Sequence, residues 1–308
     1  MALTPPTSGA APAIEAPRLG LAPRTRTILS DYLELTKPKV QSLLLLTTIA
    51  TMYVAGDPSP WLVALTCLGG YLSAGGAGAV NHWFDRDIDA RMKRTANRPV
   101  PSGRVSPRAA LLFGCTLACL SVIELTLAVN GLAAALSFSG FLGYVFVYTV
   151  WLKRRTPQNI VIGGAAGAVP PLVGWAAVTG SVSGTAVILF FIVFFWTPPH
   201  FWALSLLMKD EYRKVDIPML PVVRGEEETR RQILLYAILL WAVTQLPFCA
   251  GGLGTLYLVS SLVLGGLLIG GALVLYRRAD RRSALRLYLF SLLYLALLFG
   301  SMVLDVKL

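Results

Sequence analysis

Residues 60–104 read PWLVALTCLGGYLSAGGAGAVNHWFDRDIDARMKRTANRPVPSGR. The first part is an apolar run without a charge, and the remainder packs carboxylates, cations and prolines into Asn81 to Arg104. A helix needs about 20 apolar residues to cross a bilayer. The stretch therefore reads as a membrane-spanning helix that delivers a polar cluster to the membrane edge. Asn81, Asp85 and Asp89 recur every four residues, so on a continuous helix they share one face. Asp87 points off that face and reads as a salt-bridge or capping residue. Lys93, Arg94 and Arg98 follow, and Pro99 and Pro101 lead the chain away. Carboxylates on successive turns can hold Mg²⁺ through hard oxygen ligands while a substrate phosphate completes the octahedron. Arginine as a fork and lysine as a point charge would neutralise the remaining phosphate charge.

Working outward, the 308-residue chain is 55% hydrophobic and only 14% charged, with mean hydropathy +0.65. Soluble domains carry about a quarter charged residues, so a soluble protein is excluded. The apolar runs are continuous and do not alternate, which excludes a β-barrel. The expected architecture is all-α: a polytopic membrane protein with nine transmembrane helices, at about 40–56, 60–84, 107–128, 131–152, 159–179, 183–207, 231–250, 253–276 and 285–304. Short links at Gly56–Ser59, Asn130–Gly131, Thr179–Ser183 and Gly251–Gly252 tie neighbours into antiparallel hairpins.

The charge pattern tests this topology. Of the 27 Lys and Arg residues, 26 fall on one side of a nine-span chain, leaving only Lys307 opposite. By the positive-inside rule the N-terminus is cytoplasmic and the C-terminus outside. The net charge of +11 is thus spread through short topogenic loops, and it argues against a nucleic-acid partner. Residues 1–28, rich in Ala, Pro, Thr and Gly, lack the apolar core of a secretory signal and read as a disordered cytoplasmic tail; residues 29–308 form the membrane domain. Glu15 and the many prolines fit a mitochondrial presequence poorly, so the expected location is a bacterial cytoplasmic (inner) membrane.

Within the spans, Gly69–Gly70, Gly163–Gly164, Gly167 and Gly265–Gly266 permit close helix approach. Pro170–Pro171 and Pro198–Pro199 should break or kink spans five and six, which is tolerated where backbone is buried or lines a cavity. Cys67, Cys115, Cys119 and Cys249 lie in apolar segments without metal-motif spacing and read as packing residues. Glu124 stands alone in span three, where an ionisable residue is a functional candidate.

Two more loops fall on the same expected face. One is Lys153 to Asn159, just after Tyr148; the other runs from His200 to Gly225 and holds Asp210, Glu211, Lys214 and Asp216. Two acidic patches with adjacent cations make a stronger metal–phosphate signal than one. For Asp85 and Asp89 the alternative is a pair of surface carboxylates bridged to Arg86 or Lys93. Arg104, Arg108 and Arg277 to Arg286 read as topogenic charges facing anionic headgroups. Glu226–Glu228 read as a helix N-terminal cluster that suits the dipole. His82, one residue off the Asn81 face, borders the cluster. His200 could ligate iron or move a proton, or be a hydrogen-bonded packing residue.

NHWFDRDIDARMKRTANRP (81–99) resembles the first aspartate-rich motif of the UbiA superfamily of intramembrane prenyltransferases. RTPQNIVIGGAAGAVPPLVGW (155–175) and TPPHFWALSLLMKDEYRKVDIPMLPVVRG (197–225) look like the haem-farnesylating branch of that superfamily. The likeness runs from about residue 30 to 300. It implies a nine-helix bundle with two acidic inner loops. It implies that Asn81, Asp85 and Asp89 hold Mg²⁺ and, through it, the diphosphate of farnesyl diphosphate, with Lys93, Arg94, Arg98 and Lys153 contacting that diphosphate. The second motif departs from the superfamily pattern, because Asp210 is followed at the four-residue spacing by Lys214. The candidate acids there are Asp210, Glu211 and Asp216, with Asp210 and Glu211 extending the metal set.

The implied acceptor is a vinyl group of haem B, giving haem O for haem-copper terminal oxidases. His82, His200, Tyr148 and Lys214 fall on the substrate side, and the faces of Tyr148 or Trp202 could stabilise a carbocation. The implied partners are haem B, farnesyl diphosphate and the lipid bilayer, with haem A synthase or oxidase assembly proteins as candidate protein partners. The rival readings are a prenyltransferase acting on another aromatic acceptor, such as 4-hydroxybenzoate, and a transporter or assembly factor without chemistry.

Overall fold

The computed structural model describes residues 27–308, so the expected tail lies almost wholly outside the described residues. Several of the long helices begin at a small polar residue. Ser59, Ser106, Asn130, Ser183 and Asp280 each accept a hydrogen bond from the backbone N–H three residues on, which satisfies one of the orphan donors at a helix start. Pro60 and Pro107 follow two of these caps, at a position where a missing N–H costs nothing.

The elements are α1 (Ile28–Leu35), α2 (Pro38–Ala55), α3 (Pro60–Phe84), α4 (Arg86–Arg91), α5 (Pro107–Ala128), α6 (Gly131–Leu142), α7 (Asn159–Gly167), α8 (Val169–Thr179), α9 (Gly184–Leu207), α10 (Lys209–Lys214), α11 (Leu220–Val223), α12 (Gly225–Val243), α13 (Leu246–Cys249), α14 (Thr255–Arg278) and α15 (Arg281–Lys307). A π-helical segment, Gly143–Leu152, continues α6. Among the described residues there is no strand.

Among the described residues, eight segments are long and apolar enough to cross a membrane: 60–84, 107–128, 131–152, 159–179, 184–207, 225–249, 255–278 and 281–307. They coincide with eight of the nine expected spans. The remaining one, expected at 40–56, forms α2, whose 18 residues include Lys39, Gln41 and three threonines and are correspondingly less apolar. It packs against α3, α8 and α15, so the described residues form nine long helical units.

Small residues set the tightest packing. A Cβ at Gly76 of α3 would lie 2.7 Å from the Gly114 carbonyl oxygen of α5, and one at Gly174 of α8 would lie 2.5 Å from the Thr48 carbonyl of α2. Without a hydrophobic drive between helices in lipid, such close approach is what holds neighbours together. The two proline pairs behave differently. Pro170 and Pro171 open α8 after a break at Ala168, whereas Pro198 and Pro199 sit inside an unbroken α9. Ionic contacts gather at the end of the bundle that carries α4, α10 and the α14–α15 turn. The opposite end is fastened by Asp305, which accepts from the backbone N–H of Tyr257 at 3.0 Å, and by a Lys307–Asp57 pair.

Candidate functional site

The helix carrying Asn81 is not formally continuous with the one carrying Asp89, since α3 ends at Phe84 and α4 starts at Arg86. The spacing survives all the same. Asp85 donates its N–H to the Asn81 carbonyl (2.9 Å) and Asp89 to that of Asp85 (2.8 Å). The three side chains therefore stay on one face, and their residues are 3%, 0% and 3% exposed. Burial excludes the surface-carboxylate alternative.

The partners of these acids come from three other parts of the chain. Asp85 Oδ2 accepts from Asn81 Nδ2 (2.7 Å) and is paired with the Lys153 ammonium. Arg154 stands 3.5 Å from Asp85 Oδ1 and forks onto both oxygens of Asp87 at 2.7 Å each. That bidentate bond holds the Asp87 carboxyl below the usual carboxylate range and raises the Arg154 guanidinium. Arg98 Nη1 reaches Asp89 Oδ2 at 2.6 Å. Lys37, in the left-handed region at φ 54°, donates to Asn81 Oδ1 at 2.6 Å and to Tyr144 Oη at 3.3 Å. Burial, with the cations of Arg98 and Lys153 nearby, lowers the Lys37 ammonium to about 7.

Lys153 reaches Asp85 because the chain leaves the membrane through the π-helical segment. The Lys153 N–H bonds to the Tyr148 carbonyl (2.9 Å), five residues back. Such segments are rare and occur frequently at functional sites. Tyr148 packs its ring on Gly163, where an added Cβ would stand 2.4 Å from its Cδ2, and lies 5.4 Å from the Tyr144 ring. His82 is 1% exposed, and among the described residues neither of its ring nitrogens has a hydrogen-bond partner.

The second acidic loop meets the first. Glu211 Oε2 accepts from the Lys93 backbone N–H at 2.8 Å, and Arg91 Nη2 donates to the Lys214 carbonyl at 2.6 Å. The hydrogen bonds that Glu211 accepts depress its carboxyl, with the Lys214 ammonium (3.0 Å) as the first cause and the Lys93 N–H next. Asp210 and Asp216 are far more open, with side chains 82% and 88% exposed, and their contacts are Arg213 at 3.3 Å and Arg91 at 3.8 Å. Arg94 and Arg98 lie within electrostatic reach of the Tyr212 phenol, which burial raises.

Two expected site residues stand elsewhere. His200 is wedged between α9 and α15, stacked on Trp196 (4.3 Å) and Tyr288 (4.9 Å), with Nδ1 2.7 Å from Ser291 Oγ. Trp202, 2% exposed, packs edge-on against Tyr236 at 5.1 Å. Arg104, expected to face lipid headgroups, instead holds Asp31 of α1 at 2.9 Å. Lys37 and Arg154 are the functional candidates that sequence spacing overlooked; a lysine directly before the proline opening a helix was the available signal for the first.

Among the described residues, no three His, Cys, Asp or Glu side chains converge as a metal cage. The donor set still fits Mg²⁺, which is bound by one or two carboxylates plus substrate phosphates more often than by an all-protein shell. Asp85 and Asp89 are two buried carboxylates on successive turns, ringed by Lys37, Arg98, Lys153 and Arg154. Buried carboxylates lined by half-buried basic side chains fit a pocket that receives a highly charged anion together with a metal ion.

The chain belongs to the UbiA prenyltransferase family, whose pattern it matches over residues 44–298. Its curated relatives include a protoheme IX farnesyltransferase of Chloroflexus aurantiacus, 55% identical across 92% of this chain and 49% of that protein. A protoheme IX farnesyltransferase of Symbiobacterium thermophilum is 52% identical, across 91% of this chain and 95% of the relative. The chain thus spans about half the length of the first of these relatives and nearly all of the second. The fold is also that of a UbiA homologue from Archaeoglobus fulgidus bound to DMAPP and Mg²⁺ (TM-score 0.64, 17% identity, 89% of this chain and 99% of that one).

Proposed function

We propose that the chain transfers the farnesyl group of farnesyl diphosphate to a vinyl group of protohaem IX with addition of water, yielding haem O and diphosphate. The observation that carries this reading is the buried Asn81–Asp85–Asp89 face ringed by the basic side chains of Lys37, Arg98, Lys153 and Arg154, in a chain about half identical to protoheme IX farnesyltransferases. In this reading Asn81, Asp85 and Asp89 hold Mg²⁺, and Glu211 and Asp210 complete the metal side from the second loop. Mg²⁺, when bound, supplies positive charge for the departing diphosphate. Lys153, Arg98 and Arg94 share their charge between the acids and the incoming diphosphate, with Lys93 at the loop junction, and Lys37 holds Asn81 in place.

As the allylic C–O bond breaks, its electron pair leaves with the diphosphate oxygen, where these fixed cations meet it without reorganising. The farnesyl carbocation adds to the terminal vinyl carbon, and water captures the resulting cation and loses a proton. Tyr148, beside the site, offers an aromatic face to the allylic cation, and the apolar helices exclude water from the prenyl chain. His82 offers an unpartnered imidazole to a substrate, and Lys214 steadies Glu211. His200, bonded to Ser291 of α15, stands apart from this cluster. The bundle sits in a bacterial cytoplasmic membrane with its cationic end inside, where oxidase assembly proteins would receive the product.

The reading is tested by supplying the purified chain with farnesyl diphosphate and either haem B or 4-hydroxybenzoate. Product from haem B alone supports it; product only from the aromatic acid overturns it.

A further inference from the structure

The α14–α15 hairpin carries a feature that prenyl transfer does not use. Between the two helices, at their arginine-rich end, lies an open groove of about 230 Å³. Its walls are Leu267, Gly271 and Val274 of α14 and Leu287 and Phe290 of α15, while Ser283 and Arg286 stand at its polar end. Leu267 is 56% and Val274 44% exposed, so the groove opens outward to lipid. Leu267 lies eleven residues before Arg278, about 16 Å along the helix. That is close to half of the ~30 Å hydrocarbon core, the depth of one leaflet.

The charge beside the groove is one-sided. Residues 277–286 hold five arginines and a single carboxylate, Asp280. Asp280 is engaged in capping α15, accepting from the Ser283 N–H at 2.6 Å, and Arg281 donates to the Leu207 carbonyl at 3.1 Å. Among the described residues no carboxylate forms an ion pair with Arg277, Arg282 or Arg286, while Arg278 lies within electrostatic reach of Asp280. Arg286 is exposed five residues into α15, about 7 Å inward from its start, near enough the helix end for its guanidinium to reach the headgroup level.

We propose that this groove binds one anionic phospholipid of the adjacent leaflet, with its phosphate on Arg286 and an acyl chain along Val274 and Leu267. A second copy of the chain would fill the apolar walls yet bring no anion of its own to the arginines. A zwitterionic lipid would place its own cation among Arg278 and Arg282. Basic pockets between membrane helices select anionic headgroups for this reason.

The test is native mass spectrometry of the detergent-solubilised full chain. It is titrated with phosphatidylglycerol, with phosphatidylcholine of the same chains, and with glycerol 3-phosphate as a headgroup without chains. The expected result is one phosphatidylglycerol per chain, retained about tenfold better than phosphatidylcholine, with no retention of glycerol 3-phosphate. R286Q should abolish the preference, L267W should lower phosphatidylglycerol retention by filling the groove, and R108Q, a cationic change elsewhere, should alter neither. The proposal is overturned if the two lipids are retained equally or if R286Q keeps the preference. It is equally overturned if glycerol 3-phosphate competes fully, or if the chain is a dimer that excludes lipid from the groove.

Discussion

The Lys153 ammonium is ion-paired with Asp85, which is fully buried, across a separation of 68 residues in the chain. The pair joins the aspartate face at the α3–α4 junction to the exit of the π-helical segment. A buried carboxylate left without its cation is strongly destabilising, so the two residues define each other's role.

This pair separates charge from geometry. Lys153→Met should lower kcat/KM for farnesyl diphosphate by about 10–150-fold, the loss of one charge-assisted contact of ~1.5–3 kcal/mol. Asp85→Asn should cost at least as much and weaken Mg²⁺ activation as well. In the double variant the losses should fall short of additive, because the residues are in direct contact. Steady-state kinetics on the four proteins of the cycle checks this.

Arg98 and Asp89 bear on stability as well as activity. Asp89 is 3% exposed and its guanidinium partner is 2.6 Å away. Arg98→Met should destabilise the protein by about 3–5 kcal/mol by stranding a buried charge, while the joint Arg98→Met, Asp89→Leu change should recover most of that loss. Chemical unfolding in detergent distinguishes the two, and both variants should be inactive.

The second acidic loop is expected to contribute unequally. Glu211 is tied to the Lys93 backbone and lies against the first loop, whereas Asp216 is open to solvent. Glu211→Gln should raise the Mg²⁺ concentration for half-activation by about tenfold or more, in line with loss of a hydrogen bond to a charged group. Asp216→Asn should leave it nearly unchanged. Mg²⁺ titration of the initial rate reads both.

Helix contact gives a prediction independent of chemistry. Gly76→Ala would place a methyl 2.7 Å from the Gly114 carbonyl oxygen, a backbone atom that cannot swing aside. The α3–α5 pair must then part, at a cost of about 1–3 kcal/mol. Gly266→Ala, at a position facing open space, is the matched control for thermal unfolding.

The spans and their junctions were legible because bilayer thickness fixes helix length, and caps such as Ser59–Pro60 and Ser106–Pro107 mark where helices start. The four-residue spacing of Asn81, Asp85 and Asp89 likewise predicted a common face, which holds although the helix is interrupted at Asp85. The cations were harder to read. Arg98 pairs with Asp89 from nine residues away, and Lys37 reaches Asn81 across 44 residues from the preceding helix. No local periodicity encodes such contacts. The π-helical register that brings Lys153 to Asp85 is equally invisible, since an ordinary apolar span and one with a π segment share the same composition. His200 could be read from sequence either as a functional group or as a hydrogen-bonded packing residue; in the fold its ring lies between aromatic neighbours, with its hydrogen bond made to Ser291.

The most direct test is mass analysis of the haem product formed by the purified full chain from haem B and farnesyl diphosphate, with Mg²⁺ present and with it chelated, for the unaltered protein and for Asp85→Asn. The account predicts haem enlarged by one farnesyl group and one water, only with Mg²⁺ and only from the unaltered protein. Unmodified haem under all conditions, or undiminished product from Asp85→Asn, would contradict it.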